Sequence, residues 1–558
     1  MASYILRSFH SRRFRIALGT LLFLATAIGC GGESQSGSRL ASSPTQAKVT
    51  VYGAAGQVSG SLSLLDTGTV RCLIDCGAFY ANAEEAVPSA GDAAFAFRPQ
   101  DINAVFVTHS HQDHIGRLPS LVSQGYRGPI YLTEASRELA AVMLESAVKY
   151  DESQKRSWCW SQRSLADAKA QHHALTVHWR SDCTYAQKIS PSNRQSVECT
   201  LRELNGSLEK RGAGNITACR TCLANELGDI LKLFRVTPYN SPIPIGPGLQ
   251  AEFLDAGHIP GSASVLFSVV VGGKEKRFLF SGDLGSDLSA LIPGPRPAPN
   301  VDAVFVETTY GPKPRSQSVS GERKVFRSAV ADAVRNGGIA WIPAFALDRT
   351  QKILYELHLA QQEKTLPSNV PIFCPSPTAR KISDIYRLHQ KDGWFRTAVA
   401  DDRLAWSPDS LAKSAKLPGR LPRPCVLITT SGMMMYSLSK EMAGKLLPDG
   451  SVTVFLVGYQ DPDTPGSWLK EGRSTITIGN QTLTVRAKIR SFGCFSAHGD
   501  SQDIDIWLAK IRRDARVVLV HGDKSCLTGR REQLTGQGWK NVLVAEPGVK
   551  IDLLPATE

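Results

Sequence analysis

Short apolar runs rich in β-branched and aromatic residues recur along the chain, each bounded by glycine, proline or polar residues. They predict strands buried on both faces at Val105–Thr108, Phe278–Ser281, Ala303–Val306, Ile339–Pro343, Val426–Thr430, Val452–Val457 and Val517–Val520. Helical periodicity lies between these runs, as in Ile353–Gln361 and Ile504–Arg512. The alternation predicts a layered α/β architecture. With 558 residues, 42% of them hydrophobic, the chain is too long for one core and predicts two or three domains.

The polar residues that follow the first predicted strand carry the clearest chemical signal. His109, His111, Asp113 and His114 come directly after the apolar run Ala104–Val107. His109 and His111, at positions i and i+2 of an extended chain, can share one ion, while the other two lie beyond the turn and can reach a second. Imidazole and carboxylate ligands suit zinc. A solvated histidine-rich loop is the alternative, but four ligand-type side chains this close together favour a metal site.

Four further polar residues end predicted strands or lie among glycines, where the backbone can approach closely. They are Asp75, His258, Asp283 and His521. Any one of them alone would be interpreted as a turn residue. Together they offer the additional ligands that a two-metal site needs.

The region from about Val49 to Val549 resembles the metallo-β-lactamase-fold hydrolases, and specifically their β-CASP nuclease branch. That branch includes the mRNA 3′-end-processing endonuclease and bacterial and archaeal ribonucleases. The matching segments are, in chain order, Gly53–Ser61, Asp75, His109–His114, His258, Asp283, Glu307–Gly311, Ile342–Gln351, Ser431–Met433, Gly458–Gln460, Phe495–Asp500 and Val520–Gly522. The resemblance implies a four-layer αββα metallo-β-lactamase sandwich with an inserted α/β β-CASP domain.

The resemblance also implies roles for individual residues, with two zinc ions per active site. One ion would be held by His109, His111 and His258, the other by Asp113, His114 and His521, with Asp283 bridging them. Asp75 would orient a ligand imidazole, as carboxylates behind metal ligands do. Glu307 and His498 would form the remaining catalytic pair, in which His498 protonates the departing oxygen of the cleaved strand.

The domain boundaries follow from the same resemblance. We expect the first part of the metallo-β-lactamase domain at residues 47–311, the β-CASP domain at 312–490 and the C-terminal part at 491–558. Residues 151–230 resemble an insertion that carries Cys159, Cys183, Cys199, Cys219 and Cys222. Disulfides would suit an exported protein and a metal site a cytosolic one.

The N-terminus predicts export. Arg12, Arg13 and Arg15 precede the apolar stretch Ile16–Gly29, whose 14 residues are too few for a membrane span. Residues 1–29 therefore predict a bacterial signal peptide of lipoprotein type, with Cys30 as the site of membrane attachment and residues 30–46 as a flexible tether. A mis-assigned start codon ahead of a cytoplasmic enzyme is the alternative.

Charge and motif content together favour a nuclease. The formal net charge is +13, of which four arginines in the first 29 residues contribute +4, leaving +9, a balance compatible with a polyanionic partner. The resemblance, including the histidine at position 521, favours an RNA endonuclease. Departures from the family pattern at Met434–Ser437 and Ser467 keep open a hydrolase of another ester or phosphodiester. A non-catalytic nucleic-acid-binding protein is the third hypothesis, although no metal ligand has been lost.

Overall fold

The computed structural model describes residues 44, 46–79, 95–160, 227–271, 273–315, 319–402, 406, 411, 417–479 and 481–554. The predicted signal segment 1–29 and Cys30 lie outside the described residues, as does most of the predicted insertion 151–230. The side chains of the five insertion cysteines lie outside them too. Within the described ranges, no helix combines the length and the apolar character needed to cross a membrane.

Two seven-stranded sheets form the larger part of the fold. The strands of the first sheet are β1 (Lys48–Gly53), β2 (Leu62–Asp66), β3 (Arg71–Ile74), β4 (Ala104–Phe106), β5 (Ile130–Leu132), β6 (Phe234–Val236) and β21 (Lys550–Asp552). Those of the second are β7 (Ile243–Gly246), β8 (Leu249–Asp255), β9 (Ala263–Val271), β10 (Lys274–Phe280), β11 (Ala303–Glu307), β19 (Arg516–Val520) and β20 (Asn541–Val544). Their orders are β21-β1-β2-β3-β4-β5-β6 and β20-β19-β11-β10-β9-β8-β7.

The two sheets pack face to face, because alternate side chains of each are apolar and point inward. Phe106 of β4 lies 5.0 Å from Phe267 of β9, ring centroid to ring centroid, in the core between them. Short helices and a long one cover the first sheet: α1 (Gln112–Ile115), α2 (Leu118–Ser123) and α3 (Glu134–Trp160). Two helices cover the second, and they are α10 (Ser501–Leu508) and α11 (Lys524–Gly536). The predicted αββα sandwich is confirmed.

A third sheet of five parallel strands lies in the sequence between β11 and β19. Its strands are β12 (Ile339–Pro343), β13 (Ile372–Phe373), β14 (Cys425–Thr429), β15 (Val452–Leu456) and β18 (Lys488–Ser491), in the order β13-β14-β12-β15-β18. The hairpin of β16 (Thr475–Ile478) and β17 (Gln481–Thr484) stands apart from it. The insertion of an α/β unit into the sandwich is thereby confirmed, while the boundaries 312 and 490 stay predictions.

Helices cover both faces of this parallel sheet, as its continuous apolar strands require. The helices of this unit are α4 (Val319–Arg335), α5 (Arg349–Gln362), α6 (Pro377–Leu388), α7 (Thr397–Ala400), α8 (Ser437–Leu446) and α9 (Pro465–Lys470). Ala340 and Ile342 of β12 pack with α4 and α5, whereas Ile339 and Trp341 pack with α8 and α9 on the opposite face. Alternate residues of β12 therefore point to opposite faces of the sheet, and the helices on each face bury them.

The predicted strands all occur within a few residues of their expected bounds, and α5 includes the predicted helix Ile353–Gln361. The helix predicted at Ile504–Arg512 begins earlier and ends at Leu508. It begins earlier because Asp500 caps it, accepting hydrogen bonds from the backbone N–H groups of Gln502 and Asp503.

Candidate metal centre and active site

The histidine-rich segment leaves β4 as extended chain and then turns into α1. His111 is the residue that precedes the helix, with φ −69° and ψ 153°. Backbone hydrogen bonds hold the segment against neighbouring loops: the N–H of Ser61 donates to the carbonyl of Asp113 and that of Cys76 to His114, both at 2.8 Å. The loops approach so closely that a Cβ at Gly77 would lie 1.5 Å from the Asp113 carbonyl oxygen, so only glycine fits there.

Five further site residues follow or end strands of the two sandwich sheets. Asp75 follows β3, His258 follows β8, Asp283 follows β10 and His521 follows β19, while Glu307 is the last residue of β11. Because β10, β11 and β19 are parallel neighbours, their carboxyl ends meet at one sheet edge. The side chains that end these strands are therefore brought together with the histidine-rich segment of the other sheet.

The structure brings the sequence-predicted ligands into two groups that could each hold an ion. The first consists of His109, His111, His258 and Asp283, and the second of Asp113, His114 and His521, with the ligand atoms of each group within 4.8 Å of one another; Asp283 and His521 meet the same criterion with His498. In the first group, Nε2 of His109 lies 3.0 Å from Nδ1 of His111, which lies 3.4 Å from Nε2 of His258.

Asp283 faces both groups. Its Oδ2 atom is 3.4 Å from Nε2 of His109, and its Oδ1 atom is 3.3 Å from Nε2 of His114. Oδ1 also lies 3.6 Å from Nδ1 of His521. A carboxylate with one oxygen toward each group occupies the position that a bridging ligand between two ions would need.

The electrostatics of the first group suit a cation. Burial holds the pKa of His109 and His258 well below the usual range and lowers that of His111 to about 4, so these imidazoles are neutral at pH 7, as metal ligands must be. Burial alone would raise the pKa of Asp283, but the charges of His114 and His521 hold it well below its ordinary value. Asp283 is therefore a carboxylate at neutral pH.

Unsatisfied polar atoms give an independent indication of fit. Four buried ligand-group atoms have no hydrogen-bond partner among the described residues: Oδ1 of Asp113, Nδ1 of His258, Oδ1 of Asp283 and Nε2 of His521. Each such atom costs about 1–3 kcal/mol when it is left unpaired. Because Nε2, not Nδ1, is the His258 nitrogen that faces the cluster, the other three atoms are the ones that fit a site built to receive cations, and the nitrogen and oxygen donor set fits zinc.

Asp75 lies behind this cluster. Its carboxylate accepts hydrogen bonds from the N–H and the hydroxyl of Thr108, both at 2.8 Å, and from Nδ1 of His114 at 2.7 Å. Since Nδ1 of His114 donates to Asp75, Nε2 is the ring nitrogen that faces Asp283 and the metal cluster. The backbone of Asp75 is left-handed, with φ 61°, which turns its side chain back toward the histidines.

Glu307 and His498 meet at the edge of the cluster. Nδ1 of His498 lies 3.0 Å from Oε2 of Glu307, and the other ring nitrogen, Nε2, lies 3.9 Å from Oδ2 of Asp283. Glu307 is 1% exposed, whereas His498 is 20% exposed. The carboxylate is thus fixed inside the protein, and the imidazole stands between it and the solvent-facing side of the site.

Thr108 and Thr309 are two site residues that the sequence interpretation missed. The hydroxyl of Thr309 donates to Oε2 of Glu307 at 2.6 Å and lies 3.0 Å from Nδ1 of His521. Thr108 supports Asp75 as described above. Their positions next to motif residues were the only signal, because a threonine hydroxyl has no distinctive spacing of its own.

Met434, one of the departures from the family pattern, lies in the core. Its side chain is fully buried and packs in the apolar cluster that contains Trp341 and Leu427. Ser467 is in the first turn of α9, where its N–H donates to the hydroxyl of Thr464. The contacts of Met434 and the backbone bond of Ser467 therefore serve packing and helix capping.

Three sequence profiles match the chain in succession. The profile described as the metallo-beta-lactamase superfamily matches residues 55–303, the Beta-Casp domain 350–469, and the Zn-dependent metallo-hydrolase RNA specificity domain 482–544. The chain belongs to the β-CASP branch of the metallo-β-lactamase superfamily. The predicted resemblance is confirmed.

Three curated relatives each match most of this chain. Ribonuclease TTHA0252 of Thermus thermophilus is 29% identical over 88% of this chain and 97% of its own length. Transcription termination factor FttA of Cenarchaeum symbiosum is 24% identical, over 86% of this chain and 67% of its own. Cleavage and polyadenylation specificity factor subunit 3-II of Arabidopsis thaliana is 24% identical, over 87% and 69%. The β-CASP ribonuclease family is therefore the one to which this chain is similar throughout.

Proposed function

We propose that this β-CASP protein is a two-zinc phosphodiesterase that cleaves RNA internally. The observation that carries the proposal is Asp283, whose two carboxylate oxygens face two separate ligand groups beside the Glu307–His498 pair. One zinc would be held by His109, His111 and His258, and the other by Asp113, His114 and His521, with Asp283 shared between them. When bound, a pair of zinc ions lowers the pKa of water toward ~7 and offsets negative charge on the phosphate under attack.

The chain's own residues supply the remaining chemistry. The 3′-oxygen of a nucleic-acid strand is a poor leaving group unless it is protonated. Nε2 of His498 is free of Glu307 and faces the cluster, so it is the atom that would deliver this proton. Glu307 holds the other nitrogen and stabilises the protonated imidazole. General acid catalysis of this kind contributes about 10²–10⁴-fold, or roughly 3–5 kcal/mol of the barrier.

RNA as the substrate rests on the relatives. One of them is named a ribonuclease, another a transcription termination factor and a third a cleavage and polyadenylation specificity factor. A hydrolase of a different ester would need different substrate contacts at Met434–Ser437 and Ser467, where the sequence departs from the family pattern. The burial of Met434 in the core gives that alternative no support from this residue.

The test is cleavage of matched single-stranded RNA and DNA by zinc-loaded protein, each strand blocked at both ends. We expect internal cleavage of RNA that chelation abolishes and added zinc restores. The control is Asp332→Asn, a change at an exposed carboxylate outside the site. No cleavage of RNA by protein that carries both zinc ions would contradict the proposal, and cleavage of DNA alone would contradict the assigned substrate.

A further inference from the structure

Next to the segment that carries His498, the described residues form a cleft whose lining includes Ser496 and several charged side chains. Arg315, Arg323 and Lys352 line it together with a single acidic residue, Glu356. Glu356 is already matched, since it pairs with Arg323 at 3.2 Å and with Arg327. The carboxylates beside Arg315 and Lys352 are those of Asp503, 3.6 Å from Nη2, and Asp348, 2.6 Å from Nζ.

Arg315 is buried with two of its donors unused. Its side chain is 9% exposed, and its guanidinium stacks over the ring of Tyr310 at 5.4 Å. Nε and Nη2 have no hydrogen-bond partner among the described residues, and the nearest carboxylate oxygen, on Asp503, is 3.6 Å from Nη2. The N–H of Arg315 donates to Asp500 at 2.7 Å, which fixes its backbone. A buried guanidinium held in this way is prepared for an anion, because unpaired buried donors are costly.

Lys352 contributes the second cation. It is buried and lies 2.6 Å from Oδ2 of Asp348, although neither group makes a directed hydrogen bond among the described residues. Lys352 shares the cleft with Arg315, whose Nη1 donates to the carbonyl of Ser496 at 3.4 Å, two residues before His498, so the cleft adjoins the segment that carries His498. One phosphate of a bound strand could therefore contact Lys352 in the cleft while an adjacent phosphate of the same strand occupies the metal site.

We propose that Arg315 and Lys352 form a subsite for a second phosphate group of the bound strand, beside the phosphate that is cleaved. This inference rests on the proposed function and deepens it. The fork of Nε and Nη2 on Arg315 matches two oxygens of one phosphate, and Lys352 adds a point charge. The shared chemistry is a phosphate oxyanion, which either an internal phosphodiester or a terminal monophosphate supplies.

The experiment uses the zinc-loaded full chain and strands that carry one neutral methylphosphonate linkage at successive positions. For the wild type, we expect one position outside the cleaved bond to raise KM about tenfold, as the loss of a charge-assisted contact does. Arg315→Gln should raise KM for the unmodified strand about tenfold and show no additional loss at that position, since the two changes remove the same contact. Arg531→Gln, an equal loss of charge at an exposed residue, should change KM less than twofold.

A second variant and a binding measurement separate folding and function from the subsite. Asp348→Asn with Lys352→Met removes both charges of the buried pair together and should behave like Arg315→Gln, with unchanged zinc content and melting temperature. Arg315→Lys, which keeps the charge but not the fork, should lie between wild type and Arg315→Gln and serves if the latter does not fold. Each lost contact should also reduce the slope of log K against log[salt] by about 0.7 for binding to an uncleavable strand.

The arms of the experiment identify the source of the phosphate. A loss confined to the change from 5′-phosphate to 5′-hydroxyl assigns the subsite to a terminal phosphate, and a loss at an internal linkage assigns it to the strand. If the wild type cleaves RNA but no methylphosphonate position has an effect on KM that depends on Arg315, the subsite is overturned and the proposed function stands. If the protein does not cleave RNA but the salt dependence of binding still changes in Arg315→Gln, the subsite stands and the proposed function is overturned.

Discussion

The imidazole of His114 and the carboxylate of Asp75 are joined by a hydrogen bond of 2.7 Å between Nδ1 and Oδ2. Two donors from Thr108 hold the same carboxylate, so Asp75 is fixed before any metal arrives. The hydrogen bond places the proton of His114 on Nδ1 and leaves Nε2 as the nitrogen available to a metal ion.

Asp75→Asn should weaken metal binding about 10–100-fold, because the amide can offer His114 a donor in place of an acceptor and disturb its tautomer. Competition of the purified protein against a chromophoric chelator measures the change. Asp332→Asn, at an exposed position, is the control. Unchanged affinity in Asp75→Asn would show that Asp75 does not orient the ligand.

His498→Ala should keep both metals and lose roughly 10²–10⁴-fold in turnover on RNA, whose leaving oxygen needs a proton. On an activated aryl phosphodiester, whose leaving group departs as a stable anion, the loss should be much smaller. Steady-state kinetics on the two substrates, with metal content measured in parallel, provide the test. Equal losses on both would rule out His498 as the general acid.

Glu307→Gln should resemble His498→Ala in its substrate dependence, since Glu307 acts through the imidazole that it contacts at 3.0 Å. The double variant should lose little beyond the larger single loss, because residues that act as a unit are non-additive. Rates for the two single variants and the double variant complete the cycle. Fully additive losses would mean that the two residues work independently.

The sequence predicts the framework of this site well and its fine structure less well. The strand before the histidine-rich segment and the parallel strand β12 stand out because each is an apolar run that cannot be mistaken for a surface element. The sandwich strands among them, such as β4, β10 and β19, bring together the polar residues that follow them, which is why the candidate ligands could be chosen from the sequence.

Contacts that depend on a single hydroxyl or on a distant partner could not be predicted. Thr309 reaches His521, 212 positions later in the chain, and no periodicity links them. The Asp348–Lys352 pair has ordinary helical spacing, and only the fold shows that both side chains are buried. The helix after Asp500 begins at Ser501, three residues before Ile504, where the apolar periodicity in the sequence starts.

The N-terminal segment gives a prediction about compartment. If residues 1–29 act as a signal of lipoprotein type, the mature chain begins at Cys30 and carries lipid. Mass spectrometry of the native N-terminus, after separation of membrane and soluble fractions, should find that modified cysteine. An unmodified soluble chain that retains residues before Cys30 would contradict the prediction and favour the cytoplasmic alternative.

Asp283 would serve both ligand groups of the proposed two-zinc site, and metal analysis of the purified protein tests this most directly. We expect about two zinc ions per chain at the active site, as two-metal hydrolases hold. Asp283→Ala should diminish binding at both positions, because one carboxylate oxygen faces each ligand group. A single zinc ion that Asp283→Ala leaves in place would contradict the account.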